Sequence, residues 1–259
     1  VKILCGMEGL LEIATMQESQ VLVTAIVGMI GIRPTIAAIE AGKDIDKILV
    51  KKDLSGELIN ELYDLVKEYK ILIQRVPLEK INRITRKNHQ GVLAILSSVT
   101  YSNISNVIPE IYESGNMPFL VALDGVTDVR NFGAIARTCE CAGVDAIVIP
   151  ERHSVSVSGD AMKTSAGALN YVQVCRERSM VGALNYLKAN GCKIVGASGK
   201  TKVSYTDVDY SVPTVIVMGA EDKGLEPEVE AVCDELVTIP EYGKINSLNV
   251  SVAAGILMY

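Results

Sequence analysis

The chain has no tryptophan, two phenylalanines and two histidines among its 259 residues. So few histidines, and the lack of any Cys-x-x-Cys pair, leave none of the usual zinc-ligand spacings, so no metal is expected. The six cysteines, at 5, 139, 141, 175, 192 and 233, are scattered. Cys139 and Cys141 fall two apart on an expected helix, where side chains diverge, so free thiols are expected rather than a disulfide framework. No apolar run reaches the roughly 18 residues of a membrane span. Residues 21–30 are too short for one, and Lys2 alone makes a poor signal-peptide start. A cytoplasmic protein without membrane contact is expected. No Gly-x-Gly-x-x-Gly loop is present, which disfavours a dinucleotide cofactor.

Positive charge is also in short supply, with 25 Lys/Arg against 31 Asp/Glu and a net charge of −6. The distribution is uneven. Residues 29–100 hold 12 basic and 9 acidic side chains, whereas residues 101–259 hold 12 and 19. Any nucleic-acid footprint is therefore expected in the N-terminal part. Lys80, Arg83, Arg86, Lys87 and His89 cluster within EKINRITRKNHQGV. The first four could grip phosphates, although an ordinary solvated helix face has the same composition. His89 fits a satisfied structural histidine as well as a functional one.

What the chain does have is apolar content, 49% of residues, with a mean hydropathy of +0.27. That suits a buried core in one large or two small domains. Residues 33–98 alternate helix (33–41), strand (45–50), helix (57–69) and short strands (71–73 and 91–96), a small mixed α/β unit. Residues 97–117 are polar and then weakly helical, a linker and first helix. From residue 118 strands at 119–123, 146–149, 172–175, 193–197, 214–218 and 236–239 alternate with helices at 131–142, 180–189 and 250–258. That pattern predicts a doubly wound, mainly parallel sheet.

Three stretches of this second part stand out. LDGVTDVRNFGAIARTCECAGVDAIVIP covers residues 123–150, VIVMGAEDKGL covers 215–225, and LVTIPEYGKINSLNVSVAAGI covers 236–256. Each couples a strand to a polar loop, where free backbone N–H groups converge and α/β proteins hold ligands. In this order and spacing they resemble the three motifs of the SpoU (TrmH-like) family of RNA 2'-O-ribose methyltransferases. The resemblance runs from about Gly31 to the end.

The resemblance implies a SPOUT-type fold with a C-terminal trefoil knot, an exception to the rule against threaded chains. It also implies S-adenosylmethionine as cofactor, RNA as partner and a homodimer. Family positions map onto Gly219, Ile239 and Leu248 for the cofactor, beside the Ala197-Ser198-Gly199 turn. Arg137 corresponds to the arginine near the target hydroxyl, and Asn131, Glu221, Ser247 and Asn249 to the polar residues around it. Taken singly, these residues also suit core, turn or helix-cap roles, Ser247 or Asn249 being a candidate cap for the last helix. The two-domain layout and His89-Gln90-Gly91 are similar to members that methylate a guanosine of 23S rRNA. A tRNA substrate is the alternative, and a catalytically inactive RNA-binding or ribosome-assembly module is a further one. The chain departs from the family in having Val129 where a proline is usual and Glu241 where methionine is frequent. Its last helix is expected to be cut short at Tyr259.

The expected layout is an extra N-terminal segment (1–28), a small α/β RNA-recruiting domain (29–98), a linker and helix (99–117) and the knotted catalytic domain (118–259). The first 43 residues also resemble a fragment of 1-deoxy-D-xylulose 5-phosphate reductoisomerase, as in a fusion. The rest of that enzyme's catalytic part is absent, so no reductoisomerase activity is expected.

Overall fold

The computed structural model describes residues 6–15, 21–22, 32–85, 89, 91–245 and 247–259. They divide into two compact units, Val1–Ser98 and Val99–Tyr259.

The first unit carries helix α1 (Gly6–Thr15), strand β1 (Val21–Leu22), α2 (Ile32–Glu40), β2 (Ile45–Lys51), α3 (Glu57–Glu68), β3 (Ile73–Val76), α4 (Leu78–Ile84) and β4 (Val92–Leu96). Its sheet has the order β1-β4-β2-β3, with β2 and β3 parallel and the other pairs antiparallel. Strand alternation splits the core between two faces. Ile48 and Val50 join the cluster of Ile36, Ile39, Ile59, Leu62 and Val66, while Leu49 joins Val76, Ile81 and Leu93 on the α4 side. The buried stripe of α3 is Ile59, Leu62 and Val66, helical spacing centred one residue from the sequence expectation. One expectation needs correction. The strand expected at 71–73 is Ile73–Val76, and Arg75 and Gln74 are tolerated there because β3 is an edge strand. The basic stretch begins as a real helix, α4, which has only Ile81 buried.

The second unit contains α5 (Ile104–Glu113), β5 (Phe119–Leu123), α6 (Val129–Ala142), β6 (Ala146–Pro150), α7 (Gly159–Thr164), β7 (Gln173–Glu177), α8 (Met180–Ala189), β8 (Lys193–Ala197), β9 (Thr214–Met218), α9 (Pro227–Glu230), β10 (Glu235–Val237) and α10 (Val250–Met258). Six parallel strands run in the order β10-β8-β9-β5-β6-β7. The inner strands β5, β6 and β9 read as nearly unbroken apolar runs because both faces are covered. Val121, Leu123, Ile147, Ile216 and Met218 pack with α6 and α10 residues on one face. Leu120, Ala122, Val148, Val215 and Val217 pack with α5 and α8 residues on the other. Each buried Leu or Ile of this kind contributes about 1.5–3 kcal/mol.

Two features of this sheet create the site. All strands point the same way, so the loops after β5, β8, β9 and β10 emerge at one edge. The chain leaving β10 also turns back: Thr238 N donates to Val203 O and Tyr205 N to Thr238 O, and α10 then packs on α6. This segment after β10 thus lies against residues 203–205.

Candidate active site

Helix α6 starts where Asp128 caps it, its carboxylate accepting from Arg130 N at 2.9 Å and Asn131 N at 3.0 Å. The valine at 129 in place of proline leaves this start intact. Asn131 thus sits in the first turn, at the carboxyl edge of β5. Helix α10 starts at Asn249, whose Oδ1 accepts from Ser251 N at 3.0 Å and from the Ser251 hydroxyl at 2.5 Å. Asn249, not Ser247, is therefore the cap.

Glu221 comes from the loop after β9. Ala220 N donates to Gly224 O at 3.0 Å and Gly224 N to Ala220 O at 2.8 Å, closing a tight hairpin with Glu221 near its tip. A side chain at Gly219 would come within 2.2 Å of the Gly224 carbonyl carbon, so this close approach demands glycine.

The three loops meet in a hydrogen-bonded triangle. Asn131 Nδ2 donates to Glu221 Oε1 at 2.8 Å; Asn249 Nδ2 donates to the same oxygen and to Asn131 Oδ1, each at 3.0 Å. The cap bond fixes the Asn249 amide orientation, and that in turn fixes the Asn131 orientation. Glu221 Oε1 is doubly occupied, and Oε2 has no partner among the described residues. Exposed hydrogen bonds of this kind add only about 0.5–1.5 kcal/mol each to stability. Their worth lies in orientation.

Arg137 does not join this triangle. It stands exposed further along α6, seven residues from Arg130 and so on the same outward face, and makes no hydrogen bond among the described residues. Ser247 likewise lies exposed in the loop before α10, outside the network.

The expected cofactor residues are gathered from adjacent strands. Ala197 ends β8 in register with Val237 of β10, Gly219 follows β9, and Ile239 follows β10. Ser198 N donates to Val237 O at 2.9 Å, and Gly199 has open space on its side-chain face. Leu248 is 41% exposed at the same loop cluster. Small and apolar residues, with the neighbouring Lys200 ammonium already paired to Glu230 at 2.9 Å, fit an uncharged adenosine held by main-chain groups between apolar walls. An apolar cavity of about 500 Å³ lies elsewhere, at the amino ends of β5 and β9, lined by Phe119, Tyr210, Thr214 and Met258 among others. None of the expected cofactor residues lines it.

In the first unit, Lys80 and Arg83 project from α4 one turn apart, both exposed. Arg86 and Lys87 lie outside the described residues. His89 is buried, with Nδ1 accepting from Gly91 N at 3.0 Å and Nε2 facing Asn82 Oδ1 at 2.8 Å. Both ring nitrogens are engaged, so the structural role holds. Among the described residues no three His, Cys, Asp or Glu converge as a metal site, and no helix is long and apolar enough to cross a membrane. Sequence reasoning missed Asp124, a carboxylate between the apolar end of β5 and Gly125. The same stretch, Leu123-Asp124-Gly125, held the signal: a charge placed directly after a buried strand.

Residues 118–259 match the SpoU rRNA Methylase family, and residues 29–102 match a domain described as RNA 2'-O ribose methyltransferase substrate binding. Residues 1–51 match 1-deoxy-D-xylulose 5-phosphate reductoisomerase. A Staphylococcus saprophyticus protein named for the TrmH family of tRNA/rRNA methyltransferases is 35% identical over 86% of this chain and 89% of its own. A Staphylococcus aureus protein of the same name is 34% identical over 91% and 94%. The AdoMet-bound rRNA methyltransferase of Sinorhizobium meliloti shares the fold, with a TM-score of 0.57 at 24% identity over 96% of this chain and 91% of that one. So does the SpoU methyltransferase AviRb of Streptomyces viridochromogenes, with a TM-score of 0.56 at 22% identity over 88% and 86%.

Proposed function

The chain belongs to the SpoU family of RNA methylases, and on that premise we propose that it methylates a ribose 2'-hydroxyl of a guanosine in 23S rRNA, acting as a homodimer with S-adenosylmethionine. The observation that carries this reading is the Asn131–Glu221–Asn249 triangle, which joins all three motif loops into one polar centre beside the expected cofactor edge.

S-adenosylmethionine, when bound, supplies the electrophilic methyl group. The chain must hold the donor, aim the hydroxyl and handle the departing proton. Ala197, Ser198, Gly199, Gly219, Ile239 and Leu248 would hold the donor through main-chain groups and apolar contact. Glu221, with Oε1 taken by two amides, keeps Oε2 to accept a hydrogen bond from the ribose or from Arg137. A guanidinium stays protonated, so Arg137 would grip the neighbouring phosphate bidentately and draw the hydroxyl into place. Ser247 would close the loop over the donor.

A second copy of the chain suits the surface. Tyr242, Ile245, Leu248 and Val252 are exposed apolar side chains in the last loop and on α10, at 95%, 78%, 41% and 51%. A partner that covered them would also approach the α6–α10 layer from which Arg137 projects. In the first unit, Lys80, Arg83, Arg86 and Lys87 would bind RNA phosphates. The rRNA assignment is supported by the family's description, and an RNA substrate by the substrate-binding match over residues 29–102. A tRNA substrate remains the second reading, since the relatives are named for both RNAs.

Calorimetric titration with S-adenosylhomocysteine, run beside NADPH, tests the donor pocket. Micromolar binding of the first at about one site per subunit is expected. NADPH binding, or silence toward both, would contradict the assignment.

A further inference from the structure

We propose that Asp124 is a positioning residue that holds the hairpin carrying Glu221 in the orientation the triangle needs. The inference rests on the reading of Glu221 as part of the reaction centre.

Asp124 follows the last residue of β5, and its own N–H donates to Met218 O at 2.8 Å, extending the β5–β9 ladder by one step. Its side chain turns inward and is 8% exposed. Oδ2 accepts from Glu226 N at 2.9 Å. Glu226 lies two residues past Gly224, the closing residue of the hairpin, and next to Leu225, which is 2% exposed. The chain also passes close to the other side of the hairpin base: a side-chain carbon added at Gly125 would meet Ala220 Cβ at 3.3 Å. Asp124 and Gly125 therefore lie beside the hairpin, the first bonding its exit and the second close to its entrance. Gly219 and Gly224 lack side chains that could stiffen the turn, so its orientation depends on these neighbours. Glu221 is reached through four bonded points: Asp124, Glu226 N–H, the Ala220–Gly224 pair, and then the two asparagine amides.

Burial pushes the Asp124 carboxyl above its ordinary range, the Glu226 N–H pulls it back, and the Glu226 charge pushes it up again. Folding therefore disfavours the ionised form of this carboxyl. An amide oxygen would accept the same N–H without that charge.

The test compares Asp124→Ala, Asp124→Asn, Glu221→Ala and the double Ala variant in the full chain. Methyl-transfer kinetics, Tm, and hydrogen exchange at the Ala220 and Gly224 amides are read for each. Asp124→Ala is expected to lower kcat on the order of 10²-fold, as a displaced catalytic group does, with both amides deprotected and only a small fall in Tm from the Glu226 N–H left without its acceptor. Asp124→Asn is expected to restore protection and most of the activity. In the Glu221→Ala background, Asp124→Ala should add no further loss, since coupled residues are non-additive. Independent, additive losses would overturn the proposal, and so would unchanged amide protection in Asp124→Ala. Should the parent chain transfer no methyl group to RNA, the functional reading fails, while the exchange data still decide whether Asp124 holds the hairpin.

Discussion

Asn131 Nδ2 lies 2.8 Å from Glu221 Oε1, although the two residues are 90 positions apart in the chain. The contact exists because β5 and β9 are adjacent parallel strands whose following loops must meet. Asn249 then locks both from the third motif.

Arg137 is exposed and outside this triangle, so its contribution should be to the reaction rather than to the fold. Arg137→Ala should reduce methyl transfer by about 10²-fold or more, the scale of losing one transition-state contact. S-adenosylhomocysteine affinity, measured by calorimetry, should stay nearly unchanged. Equal loss of both would assign the residue a structural role.

Asn249 has two separable roles, capping α10 through Oδ1 and orienting Glu221 through Nδ2. Asn249→Ser keeps a good cap while deleting the amide donor, so Tm should hold and kcat fall. Asn249→Ala removes both and should cost about 1 kcal/mol of stability as well. Thermal melts beside kinetics distinguish the two.

The exposed pair on α4 predicts a salt effect. Replacing Lys80 and Arg83 together by Ala should weaken RNA binding at every sequence tested. It should also lower the slope of log affinity against log salt by about 2. An unchanged slope would return these residues to an ordinary solvated helix face.

Acid sensitivity should arise partly at the β10 edge. Burial raises the Asp234 carboxyl, but the Lys188 ammonium at 2.7 Å and the Ile194 N–H at 2.9 Å outweigh it and leave the group below its ordinary 3.8. A depressed carboxyl stabilises the fold above the unfolded value, and that share is lost as pH falls through the folded one. Asp234→Asn should therefore flatten the decline of Tm below about pH 4 and leave its slope above pH 5 unchanged. Both side chains are partly exposed, so the effect is modest.

Much of the fold was legible because strands buried on both faces must be unbroken apolar runs, and 119–123, 193–197 and 214–218 were read without error. The edge strand β3 was misplaced because Gln74 and Arg75 do not look like a buried ladder. Helices α7 and α9 are too short for periodicity to show. The site was legible only through its motifs: Asn131 and Asn249 are 118 residues apart, and nothing local tells that they touch. The failure of Ser247 as a cap has a local cause, since Ser251 is placed to reward Asn249 instead. Asp124 carried a local signal, a charge directly after a buried strand, but its partner is the backbone N–H of Glu226, 102 residues on, which side-chain identities do not reveal.

The most direct measurement is transfer of labelled methyl from S-adenosylmethionine to protein-free 23S rRNA and to tRNA, followed by digestion to nucleosides. The account predicts label in 2'-O-methylguanosine from the 23S rRNA. Label on a base, or none from either RNA while S-adenosylhomocysteine still binds, would contradict it.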